Sequence, residues 1–179
     1  VEDMGNEYVM VDVLTVGFSA VETLRNMDFK LIIHAHRAMH AAITRKKDHG
    51  ISMKVLAKVF RVIGVDQLHV GTVVGKMFER RKDVVENIRA LKEEIGIKPC
   101  MPVASGGLHP FSIPKLLDVF GNDVIIQAGG GIHGHPMGTR AGAFAMKAVL
   151  EACVEGIPLQ DVIDKHEEVK AAFKQWGKK

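Results

Sequence analysis

The sequence predicts an α/β fold: parallel strands with covering helices, forming the C-terminal half of a (β/α)8 TIM barrel. Three observations lead there. Short apolar, β-branched runs alternate with helical patterns along the whole chain, as in a parallel sheet covered on its faces. The fingerprint G-x-G-x-x-G is missing after the first strand-like run, where a dinucleotide-binding Rossmann fold carries it, which counts against that fold. At most five strand-like runs can be found, too few to close an eight-stranded barrel.

The elements follow in order. Residues 8–13 read as a strand and 19–27 as a polar-capped helix. Residues 31–35 form the second strand, and 38–46 a helical stretch. The pattern over 52–63 is strongly amphipathic, with Val55, Val59 and Val62 at helical spacing on one face. Residues 67–74 are the third strand, and 83–95 a charged helix stopped by Gly96. A short strand over 101–104 precedes a helix at 113–120 with Pro114 in its first turn, and 124–127 is the last strand. Helices over 139–155 and 159–175 finish the chain. No linker, low-complexity tract or short repeat interrupts this order, so residues 1–179 are expected to act as a single partial domain.

Composition narrows the function. With 47% hydrophobic and 25% charged residues the chain is globular rather than disordered. A net charge of +3, lysines scattered over helical faces and 6% aromatic residues argue against nucleic acid. No apolar run approaches a membrane span, and nothing resembles a signal peptide. Cys100 and Cys153 lack a C-x-x-C spacing and are expected to be reduced and buried, which fits the cytoplasm. The chain opens on Val1 rather than Met and is expected to be part of something longer.

Active sites of βα folds lie beyond the carboxyl ends of their strands. Seven of the nine histidines (His34, His36, His40, His69, His109, His133 and His135) fall there, leaving His49 and His166 elsewhere. Any one of them alone reads as a structural group; their shared location favours a site. His34-Ala35-His36-Arg37 ends the second strand, with His34 and His36 on one face. H-x-H can ligate zinc, but no carboxylate or cysteine stands nearby in sequence to complete the set. A guanidinium beside an imidazole suits an oxyanion or phosphate better. The bland alternative is that Arg37 and His40 only cap and pair within the next helix.

Two glycine-rich loops follow the last two strands, Ser105-Gly106-Gly107 and Gly129-Gly130-Gly131. Adjacent glycines let backbone N–H groups approach an anion, although tight turns alone explain most such loops. Barrels commonly hold a phosphate after strands seven and eight. The third strand leads into Gly71-Thr72-Val73-Val74-Gly75-Lys76, a glycine-hinged segment with a cationic tip. It is not a Walker A loop, because only three residues separate the glycines and Met77 follows the lysine. Taken alone, Lys76 reads equally well as a solvated lysine at a helix start.

Together these stretches resemble a known family. His34-Ala-His-Arg-Ala-Met-His40, His69-Val-Gly-Thr-Val-Val-Gly-Lys76, Val103-Ala-Ser-Gly-Gly107 and Gln127-Ala-Gly-Gly-Gly-x-x-Gly-His-Pro136 occur in the order and spacing of the Rubisco large chain. Val9-Met-Val-Asp-Val-Leu-Thr-Val-Gly-Phe-Ser-Ala20 looks like that family's fifth-strand segment, and Gly129–Gly138 with Thr139-Arg-Ala-Gly142 is most similar to the archaeal branch. The resemblance covers almost the whole chain. It implies a carboxylase of ribulose 1,5-bisphosphate that fixes carbon dioxide on a (β/α)8 barrel and works as an oligomer. It further implies that Lys76 is the mobile loop lysine that steadies the incoming carboxylate, and that His36 handles protons beside the reacting carbons. Arg37 and His69 then hold one phosphate, Ser105 bonds a substrate hydroxyl, and Gly106, Gly107, Gly129 and Gly130 belong to the loops holding the other.

Three features depart from the family. Its Mg²⁺ ligands, a carbamylated lysine followed by Asp and Glu, belong to an earlier strand; no K-D-D-E segment is present, and no metal ligand is expected on this chain. The amino-terminal domain that completes a neighbouring subunit's site is absent. Met77-Phe78-Glu79-Arg80 replaces the family's spacing to Glu-Gly, which bears on loop closure. The chain alone is therefore expected to be inactive, needing a homo-oligomer or partner chain that supplies the rest of the barrel. Two alternatives stand: a Rubisco-like isomerase or enolase acting on another phosphorylated sugar or ketone, and a non-catalytic half-barrel that needs a partner.

Overall fold

The computed structural model describes residues 1–27, 29–46, 48–74 and 79–177. Lys76, Met77 and Phe78, and with them the loop lysine expected above, lie outside the described residues. The first elements are strand β1 (Tyr8–Asp12), helix α1 (Val13–Val16), helix α2 (Phe18–Asn26) and strand β2 (Ile32–His36). Next come α3 (His40–Thr44), α4 (Met53–Ile63), β3 (Gln67–His69), α5 (Arg81–Lys92) and β4 (Met101–Ser105). The chain continues with α6 (Ile113–Phe120), β5 (Ile125–Gln127), α7 (Gly130–His133), α8 (Thr139–Glu155), α9 (Leu159–Lys165) and α10 (Glu167–Trp176). Short 3₁₀ turns occupy Glu2–Met4 and Pro110–Ser112. The strands form one sheet in the order β1-β2-β3-β4-β5, and β1 to β4 pair in parallel. The α/β class and the parallel sheet read from the sequence are those observed.

The chain divides into two compact units. The first comprises Val1–Val70, Arg80–Ala104 and Asp123–Ile125. Its core joins Ile33 and Ala35 of β2 and Leu68 of β3 to Leu56, Phe60, Val84 and Leu91 of the helices. Each of these side chains other than Ala35 contributes roughly 1.5–3 kcal/mol on leaving water. In α4 the buried stripe is Met53, Leu56, Ala57 and Phe60. This corrects the expected face, since Val55 and Val62 are 48% and 67% exposed. Both sets have helical spacing, and the stripe with the larger side chains took the interior.

The third strand is also shorter than expected. Its ladder ends with Val70 N–H donating to the Val103 carbonyl (3.1 Å), and the Val70 carbonyl accepts from the Asn87 side chain of α5 (3.3 Å). A side chain thus takes the acceptor that a continuing strand would have used, and Gly71 turns away at φ 95°.

Two charged residues brace this unit at its opposite, amino-terminal strand ends. The buried Arg61 donates from its three nitrogens to the carbonyls of Lys98, Ala90 and Ile97 at 3.0–3.1 Å. Asp66, just before β3, accepts from Arg25 (2.5 Å), Lys98 (3.0 Å) and the Ile33 N–H (2.9 Å). Burial pushes the Asp66 carboxyl up, but the Ile33 and Lys98 hydrogen bonds and the Arg25 and Lys98 charges outweigh it and hold it below the usual range. Nearby, burial pushes the Cys100 thiol up to about 12, so it stays protonated and unreactive. Cys100 and Cys153 are both free, as expected, but only Cys100 is buried; Cys153 is half-exposed.

The second unit comprises Gly71–Glu79, Ser105–Asn122 and Ile126–Lys179. Its core gathers Ile113 of α6, Ala145, Met146, Val149 and Ala152 of α8, Val162 and Ile163 of α9, and Val169 and Ala172 of α10. The single helix expected over 159–175 is two, divided where His166 adopts an extended conformation (φ −125°, ψ 118°). That break lets apolar residues of both helices face one core. Residues 130–133, expected as loop, form the short α7. No helix among the described residues is long and apolar enough to cross a membrane.

Candidate functional site

The first unit gathers three histidines and an arginine at the carboxyl ends of adjacent strands. β2 alternates, burying Ile33 and Ala35 and leaving His34 and His36 half-buried on the other face. The register pairs His34 with Gln67, so parallel alternation brings His69 beside both β2 histidines. His34 Nε2 lies 2.9 Å from His69 Nε2, and His34 Nδ1 lies 2.6 Å from Gln67 Oε1. With the amide oxygen accepting, His34 donates to Gln67 from Nδ1 and meets His69 through Nε2. The His36 ring meets His69 edge-on at 4.7 Å, and His36 Nδ1 accepts from the Ala38 N–H (3.2 Å).

Arg37, the first residue after β2, is 5% exposed, and His69 is 3% exposed. A guanidinium at this position offers a forked set of donors whose geometry suits an anion. Burial lowers the His69 pKa to about 3, assisted by the positive potential of His34, His36 and Arg37. The ring is therefore neutral at physiological pH in a pocket of positive character. The loop that follows is bent by Met39, the only non-glycine residue at positive φ (65°) among those described.

The second unit holds the two glycine loops, which differ in physical character. Gly106 and Gly107 sit at φ 105° and 67°, where side chains are disfavoured, so backbone conformation alone demands glycine there. Gly129 has an ordinary φ of −102°, and a Cβ added at Gly129 or Gly130 would meet nothing within 4 Å. Internal packing therefore does not demand glycine at either position. Gly131 is a packing position instead, since its Cβ would lie 2.1 Å from the Leu108 carbonyl oxygen. Ser105, the last residue of β4, is half-buried.

The structure thus brings His36, Arg37 and His69 together, and separately places Ser105, Gly106, Gly107, Gly129 and Gly130 on strand-end loops. Gln67 and Asp12 escaped the sequence reading. Gln67 could have been found from the alternation that puts it on the His69 face. Asp12 ends β1 opposite His36 in register; one of its carboxylate oxygens accepts from Thr15 (3.0 Å), and the other is buried without a hydrogen-bond partner. No signal in the sequence distinguished it from a helix cap.

Residues 1–176 match the family model "Ribulose bisphosphate carboxylase large chain, catalytic domain". The chain belongs to this family. Its Rubisco relatives include the ribulose bisphosphate carboxylases of Methanocaldococcus jannaschii and Archaeoglobus fulgidus. They are 52% and 46% identical over 98% and 99% of this chain, and over 45% of each relative. Among solved structures, the octameric Rubisco of Pyrococcus horikoshii superposes with a TM-score of 0.93 at 46% identity, over 98% of this chain and 43% of that one. The dimeric archaeal Rubisco of Hyperthermus butylicus gives 0.87 at 40% identity, over 98% and 44%. The chain therefore spans less than half the length of the Rubisco relatives it matches, and corresponds to the C-terminal portion of their TIM-barrel catalytic domain.

Proposed function

We propose that this chain is the part of a ribulose 1,5-bisphosphate carboxylase that supplies its phosphate-binding groups and its loop lysine, residues 1–179 acting as one partial domain. The observation that carries this reading is the meeting of His36, Arg37 and His69 on neighbouring strand ends, within a chain matching the Rubisco catalytic domain over residues 1–176. Arg37 and His69 take one phosphate of the substrate. Ser105 bonds a sugar hydroxyl, and the backbone of Gly106, Gly107, Gly129 and Gly130 takes the other phosphate. Fixing both ends of a bisphosphate aligns the carbons between them, which lowers the entropic part of the barrier. His36, with its Nδ1 engaged by Ala38, presents Nε2 for proton handling at those carbons. Lys76 steadies the carboxylate that forms from carbon dioxide.

Magnesium is a separate matter. Mg²⁺ binds through oxygen ligands in octahedral geometry. Among the described residues no group of three or more His, Cys, Asp and Glu converges on one point. Asp12 offers a single unpartnered oxygen beside imidazoles. This donor set does not fit the ion, and its ligands are assigned to an upstream segment. The cell compartment we assign is the cytoplasm, and the working form is an oligomer, as the octameric and dimeric relatives are titled.

The test is complementation. The purified 179-residue chain should fix no carbon dioxide, and mixing it with, or fusing it to, a segment carrying the metal-ligand strand should restore fixation. Fixation by the chain alone would overturn the division of labour. A complete parent that enolises or isomerises another phosphorylated ketone, yet leaves ribulose 1,5-bisphosphate uncarboxylated, would decide for the Rubisco-like alternative.

A further inference from the structure

We propose that Trp176 is a positioning residue that clamps the two glycine loops and holds their backbone donors in register for a phosphate. The inference rests on the reading of those loops as a phosphate site. It starts from direct contact between the segments that carry the loops. A Cβ at Gly131 would stand 2.1 Å from the Leu108 carbonyl oxygen and 2.6 Å from the His109 Cα, so the two segments touch backbone to backbone. Such a contact fixes separation but not sliding.

Helix α10 supplies what prevents sliding. Trp176 stacks on His109, two residues beyond Gly107, with ring centroids 5.5 Å apart and planes 10° from parallel. The same indole meets His135, four residues beyond Gly131, at 6.1 Å and 52°. One ring therefore touches the chain leaving each loop. His135 is held in turn: its Nδ1 accepts from the Met137 N–H (3.1 Å), so its proton sits on Nε2 and donates to the Glu168 carbonyl of α10 (2.9 Å). One helical turn before the indole, Phe173 packs edge-on against Phe111 at 5.2 Å. Four contacts from one helix thus fall on the exits of two loops, and they occupy no part of Gly129 or Gly130, whose Cβ directions stay open.

The clamp is tested by amide hydrogen exchange on the full chain with Trp176→Ala and Trp176→Phe. Exchange over residues 105–109 and 129–134 should rise roughly tenfold in the alanine variant, the scale of two aromatic pairs. Amides at the centre of α8 should stay protected, and phenylalanine should restore most of the loop protection. Calorimetric titration with inorganic phosphate should show weakening by a similar factor in the alanine variant and recovery in the phenylalanine one. Trp176 is the sole tryptophan, so its emission in the unmodified chain should also respond to phosphate but not to chloride at equal ionic strength. Unchanged loop exchange in Trp176→Ala, or exchange rising equally through α8, would overturn the clamp. Failure of the unmodified chain to bind phosphate would sink the phosphate reading instead, and loop exchange would still decide the clamp.

Discussion

The two candidate anion sites are built from opposite materials. The first unit uses side chains: a buried guanidinium and imidazoles aligned by strand register. The second uses backbone, exposed by leaving side chains out at Gly129 and Gly130. A side-chain site carries charge with it and must be compensated even when empty. A backbone site carries only partial charges, so it costs little when empty but depends on the loops being held in shape. Substitution should therefore hurt the first through electrostatics and the second through geometry.

The largest effect is expected at Arg37. In a complete parent enzyme, Arg37→Ala should lower kcat/KM by about 100-fold or more, the scale of removing a buried charge partner from an anion. Arg37→Lys should recover little of it, because a point charge does not reproduce the guanidinium fork. Steady-state kinetics with ribulose 1,5-bisphosphate checks both. A loss of less than about threefold for the alanine variant would mean that Arg37 pairs only within the fold.

The glycine loops provide a sharper contrast, because neighbouring residues should separate stability from binding. Gly131→Ala must push its Cβ against the Leu108 carbonyl and should destabilise by about 1–3 kcal/mol, read as a lower Tm. Gly129→Ala meets nothing in the fold and should leave the unfolding free energy within about 0.5 kcal/mol of that of the unsubstituted chain. It should nonetheless weaken inorganic phosphate several-fold. If both variants behaved alike, the distinction between packing and ligand glycines would fall.

That distinction also marks the limit of what could be read in the sequence. Consecutive glycines announced both loops, and the histidines and Arg37 announced a strand-end cluster, because residue type alone limits what such positions can do. Which glycine serves a turn, a close approach or a ligand depends on φ and on neighbours distant in sequence. Helix α4 teaches the same lesson: two apolar stripes have helical spacing, and only tertiary packing, which seats Phe60 against Phe18 of α2, decides that Leu56 and Phe60 face inward rather than Val55 and Val62. Trp176 was invisible for that reason, since its partners His109 and His135 lie in segments that only the fold brings to α10.

Acid should affect the first unit through His69. The free ring titrates near 6.5 and the buried ring at about 3. Between those values the unfolded chain binds a proton that the folded chain refuses, so stability falls as pH drops through 6.5 and the loss is complete near 3. His69→Asn should therefore shrink the difference in Tm between pH 7 and about pH 4.5, whatever it does to stability at neutrality. An unchanged difference would show that His69 takes up its proton without opening the cluster.

The smallest effect is expected at Met39. Its backbone lies at φ 65° and its side chain is 69% exposed, so little packing holds the conformation. A left-handed residue with a Cβ costs about 1–2 kcal/mol, and glycine would relieve that. Glycine also enlarges the entropy of the unfolded chain, which offsets about 0.5–1 kcal/mol. Met39→Gly should accordingly raise stability by less than about 1 kcal/mol in chemical denaturation. Its value lies in the comparison between the two sites. If the loop after Arg37 is held by its side chains, relaxing this backbone should leave phosphate affinity unchanged. A drop in affinity alongside the gain in stability would instead show that the side-chain site, like the glycine loops, depends on the shape of its backbone to aim its donors.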